Sequence, residues 1–121
     1  MECIFCNSDR ELIAENDHAI AVYDGFPVSE GHALVIPKTH VPEIFDLNDQ
    51  EYAACFDLVR QVKTILQKKH STEAFNIGVN CGDIAGQTVM HAHIHMIPRY
   101  AGDVEDPRGG VRHIIPGKGY Y

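Results

Sequence analysis

The chain has 121 residues, 45% of them hydrophobic and 22% charged, which fits one folded domain with a single core rather than a disordered segment. Seventeen acidic residues against ten basic ones give a formal charge of −7, which argues against a general nucleic-acid binder, though not against a small anionic ligand held by a few aimed donors. No apolar run approaches the roughly 18 residues of a membrane span, and Met1-Glu2-Cys3-Ile4-Phe5-Cys6 has no basic start before an apolar stretch, so no membrane partner and a cytoplasmic location are expected.

Along the chain, residues 1–18 read as a short N-terminal segment carrying a Cys3-x-x-Cys6 pair, which in a reducing compartment suits metal binding or redox chemistry better than a structural disulfide. Ala19–Tyr23 is an apolar strand candidate stopped by Asp24-Gly25-Phe26-Pro27, and His32–Pro37 is a second strand that could pair with it. Asn48 to Glu51 fits a capping box, after which Tyr52, Cys55, Phe56, Val59, Val62 and Leu66 recur at helical spacing. Leu58 and Ile65 fall off that stripe and suggest a second apolar face, for core or for another subunit. Lys68, Lys69 and His70 then suit the negative end of the helix dipole. Phe75–Asn80 alternates like a strand, Cys81–Gln87 reads as a glycine-containing loop, and Thr88–Arg99 as the last long strand. Residues 101–121 read as an irregular tail in which Arg108 and Arg112 could reach a polyphosphate.

His91, His93 and His95 alternate at every second position. On a strand their rings share one face, while Met90, Ala92, Ile94 and Met96 point to the other, toward the helix. Three readings compete: satisfied histidines on a half-buried sheet, a catalytic metal site built on H-x-H, or a nucleophilic imidazole with neighbours that position phosphate oxygens. The preceding Gly82, Gly86, Gln87 and Thr88 favour the third, because a glycine loop with neutral donors can cradle a phosphoryl group.

The stretch Gly86-Gln87-Thr88-Val89-Met90-His91-Ala92-His93-Ile94-His95-Met96-Ile97-Pro98-Arg99 resembles the signature of the histidine-triad (HIT) nucleotide hydrolases and transferases. His32-Ala33-Leu34-Val35-Ile36-Pro37-Lys38-Thr39-His40 and Asn76–Asn80 are similar to further family stretches. The resemblance covers about residues 2–100, and small bacterial and archaeal members that look like dinucleoside-polyphosphate hydrolases are the nearest kind. It implies an α+β fold, with an antiparallel sheet of about five strands and one long helix packed on it, and a homodimer. It also implies attack by His93 on an α-phosphorus to give a nucleotidyl-histidine, released by water as a nucleoside monophosphate. His95 would assist the leaving group, Gln87 and Thr88 would donate to phosphate with Asn80 beside them, His32 would lie near the leaving group, and Asp24 would hold the ribose. Phe5, Val22 and Phe26 could wall the base, although core packing explains them nearly as well. Some members carry a structural zinc, whose ligands would here be Cys3, Cys6, His40 and His91. Two other functions stay open: a nucleotide sensor with weak turnover, and a hydrolase that uses the three histidines on a metal.

Overall fold

The computed structural model describes residues 3–6 and 9–121, so Met1, Glu2, Asn7 and Ser8 of the N-terminal segment lie outside it. Strands β1 (Leu12–Glu15), β2 (Ala19–Tyr23), β3 (Ala33–Pro37), β4 (Ala74–Gly78) and β5 (Ile94–Arg99) form one antiparallel sheet in the order β1-β2-β3-β5-β4. One long helix, α1 (Asp49–His70), crosses between β3 and β4 and packs on one face. This is the expected α+β architecture. Among the described residues no helix is long and apolar enough to cross a membrane.

The helix starts where the capping box places it. Asn48 Oδ1 accepts from the Glu51 backbone N–H at 2.8 Å, and Glu51 Oε1 accepts from the Asn48 N–H at 3.0 Å. Together these satisfy two otherwise orphaned donors. Its last turn closes through Ser71 N–H to Gln67 O at 3.0 Å, with Ser71 in the left-handed region. The buried stripe is Cys55, Leu58, Val59, Val62 and Leu66, rotated from the expected one. At about 100° per residue, Leu58 falls inside the arc centred on Cys55 and Val62, whereas Phe56 falls outside it. Leu58 is therefore core, not a second face. Tyr52 and Phe56, each 38% exposed, lean on one another at 5.2 Å along the helix edge.

The helix meets Ala19, Ala21, Ala33, Val35, Ala92, Ile94 and Met96, a set rich in small residues that lets helix and sheet approach closely. On the opposite face Val22, Leu34 and Ile36 pack with Phe5 of the N-terminal segment. All five residues of β3 are buried, which explains why that strand reads as an unbroken apolar run.

The last strand is shorter than expected. Pairing starts only at Ile94, because the Gln87 carboxamide pins the loop before it and Ala92 N–H donates to Val41 O at 2.8 Å, beyond the end of β3. The alternation survives outside the ladder, since Ala92, Ile94 and Met96 are buried toward the helix while Met90 is exposed. The strand β1 escaped the sequence reading. The tail contains a 3-10 helix at Gly110–Ile114 and closes on itself: Arg112 Nε donates to Gly119 O at 3.2 Å, and the His113 and Tyr120 rings meet at 4.5 Å. Gly109 has φ +93°, and a Cβ there would lie 2.2 Å from Gly119 O, so only glycine fits.

Candidate functional site

The three histidines of the alternating run face three different partners. His91 is buried and donates from Nε2 to Pro37 O at 2.8 Å, which leaves its Nδ1 as a lone pair. That nitrogen faces Cys3 Sγ and Cys6 Sγ, both at 3.4 Å, and His40 Nδ1 at 3.0 Å, while Cys6 Sγ lies 3.1 Å from His40 Nδ1. One ligand atom from each of the four residues falls within 4.8 Å of all the others. Tetrahedral zinc with bonds of about 2.0–2.3 Å sets ligand atoms about 3.3–3.8 Å apart, so the cluster is close to the size of a closed zinc site. Burial, helped by the neighbouring His40 and His93, holds the His91 pKa below its ordinary value, so the ring is in its neutral, ligating form. The donor set fits zinc.

His93, almost fully buried, donates from Nδ1 to the His91 carbonyl at 2.8 Å, and its ring lies 5.0 Å from Phe5 and 5.1 Å from His95. With the proton on Nδ1, the lone pair is on Nε2, the nitrogen farther from the backbone. The same residue thus offers its ring to the cysteine cluster and its carbonyl to His93.

His95 stands on β5 beside Leu34 of β3, and its Nδ1 is 3.0 Å from His32 Nε2. His32 Nδ1 accepts from the Val28 backbone N–H at 3.1 Å. A neutral His32 therefore carries its proton on Nε2 and donates to His95 Nδ1, which in turn places the His95 proton on Nε2. Asp24 Oδ2 approaches His32 Nε2 at 3.4 Å and His95 Nδ1 at 4.0 Å, while Asp24 Oδ1 accepts from Phe26 N–H at 2.8 Å. Burial lowers the pKa of both His32 and His95, more than the Asp24 charge raises them. Asp24, His32 and His95 also come within ligating distance of each other. In His32 and His95, however, donor already meets acceptor, so the two rings are satisfied by their own hydrogen bond and the one from Val28.

The remaining expected residues separate. Asn80 is exposed two residues past β4, whose last residue Gly78 pairs with His95. Thr88 is exposed in the turn before the histidines. Gln87 is buried; its Oε1 accepts from Gly82 N–H at 2.8 Å, and its amide donates to Pro42 O at 2.6 Å and Val89 O at 3.0 Å. Both amide protons are thereby engaged, and the side chain holds the loop in shape. Phe5 and Val22 are buried on the histidine face, but Phe26 is 90% exposed and walls nothing within this chain.

Residues that the sequence did not single out also gather here. The Arg10 guanidinium lies 5.6 Å over the Phe5 ring and within 3.8 Å of the position a Cβ on Gly25 would take. At the far end of β5 the Arg99 guanidinium grips Asp103 through two bonds of 2.7 and 2.8 Å and reaches Asn76 Oδ1 at 2.6 Å. That grip holds the Asp103 carboxyl far below the usual carboxylate range. A cavity of about 720 Å³, lined by Ser29, Glu30, Arg99, Asp103, His113 and Tyr120 among others, opens there beneath the tail.

Residues 6–102 match the HIT domain family model. An uncharacterised HIT-like protein of Mycoplasma genitalium is 40% identical over 103 residues, 81% of this chain and 73% of that protein. The asymmetrical bis(5'-nucleosyl)-tetraphosphatase of Schizosaccharomyces pombe is 44% identical over 80 residues, 66% of this chain and 44% of that protein. Among solved structures, a Zn-bound histidine triad family protein from Mycobacterium smegmatis superposes with a TM-score of 0.75 at 32% identity, covering 84% of this chain and 77% of that one.

Proposed function

Because the chain belongs to the HIT domain family, and is an enzyme of that family's nucleotide-hydrolase type, we propose that it cleaves nucleotides at the α-phosphorus through a covalent bond to His93. The observation that carries this reading is the 2.8 Å bond from His93 Nδ1 to the His91 carbonyl, which puts the proton of the neutral ring on Nδ1 and the lone pair on Nε2. An imidazole held in one tautomer by a backbone acceptor is a ready nucleophile at neutral pH.

In the first step the Nε2 lone pair bonds to phosphorus and the bond from phosphorus to the leaving group breaks, with its electron pair departing on the leaving group. His95, with its proton on Nε2, donates a hydrogen bond to that atom, while His32 holds the other side of the ring. The proton stays on His93 Nδ1, hydrogen-bonded to the His91 carbonyl, which steadies the positive charge of the nucleotidyl-imidazolium. In the second step water adds to phosphorus, the phosphorus–nitrogen bond breaks, and a nucleoside monophosphate and one proton leave.

Asn80 and Thr88 are proposed to contact phosphate oxygens, with the Gln87 carboxamide shaping their loop. Asp24 is proposed to hold the ribose and Phe5 to border the base. Cys3, Cys6, His40 and His91 are proposed to hold a structural zinc, which would clamp the N-terminal segment onto the residue whose carbonyl orients His93. Dinucleoside polyphosphates come first as substrates, with the Schizosaccharomyces pombe relative as support, and adenosine phosphoramidates second. A homodimer is the proposed assembly, and the exposed Tyr52 and Phe56 pair supports it.

The test incubates the protein with diadenosine polyphosphates and an adenosine phosphoramidate, with and without chelator, beside His93→Ala. Turnover should depend on His93, and rapidly quenched wild type should carry one extra nucleotidyl group by intact mass. Turnover that survives the substitution would end the covalent reading. Immediate loss on chelation with the fold intact would point to a metal-dependent hydrolase, and tight nucleotide binding without product to a sensor.

A further inference from the structure

Asp24 and His32 stand at the two ends of one loop, closed by Asp24 N–H to His32 O at 2.9 Å. On the helix side of that loop one side chain reaches the neighbours of both. His70, the last residue of α1, receives the Tyr23 hydroxyl on Nε2 at 3.1 Å, and its Nδ1 is 3.3 Å from Glu30 Oε2. Its ring meets the Tyr23 ring edge-on at 5.8 Å. Gly31 has φ +87°, and a Cβ there would fall 2.8 Å from His70 Cδ2, so the ring fills the space a side chain would need. Tyr23 directly precedes Asp24, and Gly31 directly precedes His32.

We infer that His70 is a positioning residue for the reaction at His93, acting through this loop and resting on the reading that His95 and His32 assist that reaction. Helix α1 ends at His70 in a closed turn, so the imidazole is a fixed stop rather than a mobile arm. On the β5 side, Ser29 Oγ donates to Pro98 O and the Tyr100 hydroxyl donates to Glu30 O, each at 2.7 Å, which ties the loop down there. His70 supplies the opposing hold. With both in place, His32 meets His95 at 3.0 Å and keeps its donor on Nε2. Glu30 is mostly exposed and adds little, so the Tyr23 bond and the contact under Gly31 do most of the holding.

The test compares His70→Leu, His70→Gln and Tyr23→Phe with wild type. Steady-state kinetics, thermal melting and long-range ¹H–¹⁵N spectra of the imidazoles are recorded for each. His70→Leu should lower kcat/KM about ten- to a hundredfold, mostly in kcat, since a small displacement of a catalytic group is worth that much. The His95 Nδ1 and His32 Nε2 resonances should move toward values for unpaired rings. Tyr23→Phe should show a smaller change of the same kind, and His70→Gln should recover most of the rate. Unchanged kinetics and unchanged His32 and His95 resonances in both His70→Leu and Tyr23→Phe, with only melting affected, would overturn the inference. Should His70→Leu fail to fold, Tyr23→Phe alone decides by the same two readouts. Should wild type show no His93-dependent turnover, the covalent reading falls while the imidazole spectra still decide whether His70 sets the His32–His95 contact.

Discussion

Two clusters flank His93, and their hydrogen accounting differs. On one side, Cys3, Cys6, His40 and His91 point their ligating atoms inward, with the Nδ1 lone pair of His91 among them and its only ring proton turned away to Pro37. On the other, Val28, His32 and His95 alternate donor and acceptor without a break. Convergent lone pairs inside a protein repel unless a cation or protons sit among them, whereas an alternating chain is complete in itself. Clusters of similar composition can therefore have opposite needs, and which nitrogen bears the proton tells them apart better than a count of histidines.

Substitutions can break this comparison where it matters most. His93→Ala should remove the nucleophile and lower kcat/KM by about 10⁴-fold or more, measured on a dinucleoside polyphosphate. His95→Ala, on the alternating side, should lower kcat by about 10²–10⁴-fold while nucleotide binding persists. Cys3→Ser with Cys6→Ser, on the convergent side, should do the reverse: metal content by elemental analysis falls, melting drops by roughly 5 °C or more, and residual kcat in the folded fraction changes less than in His95→Ala.

Acid sharpens the comparison most gently. The folded pKa values of His32 and His95 lie below the ordinary value of about 6.5, so the fold binds fewer protons at these rings than the unfolded chain does. Their contribution to stability is thus fully present above about pH 6.5 and is lost as pH falls through the lowered folded values. Chemical denaturation between pH 7 and 5 should show a smaller decline in His32→Asn, because one of the two rings is gone.

Much of the molecule was legible beforehand, for local reasons. The Asn48 and Glu51 pair announces the helix start because capping needs only four consecutive residues, and both of its bonds are present. The alternation from Ala92 to Met96 reports which side is core, even though pairing begins only at Ile94. The pieces that escaped depend on distant partners. Nothing in Leu12–Glu15 marks it as a strand apart from its pairing with β2, and a four-residue edge strand carries little periodicity. Gln87 looks like a phosphate donor until Pro42, Gly82 and Val89 claim its amide. His70 looks like a helix-end cation, and its contacts to Tyr23 and Gly31 join residues far apart in sequence.

The salt link between Arg99 and Asp103 is also part of a shared rim. Both residues line the 720 Å³ cavity and a second one of about 430 Å³ that also borders Phe75 and Asn76, and Tyr100, Val104, Pro107 and Gly110 line both as well. Replacing the pair with smaller neutral residues would widen the two hollows at their common border, at the end of the strand that carries His95.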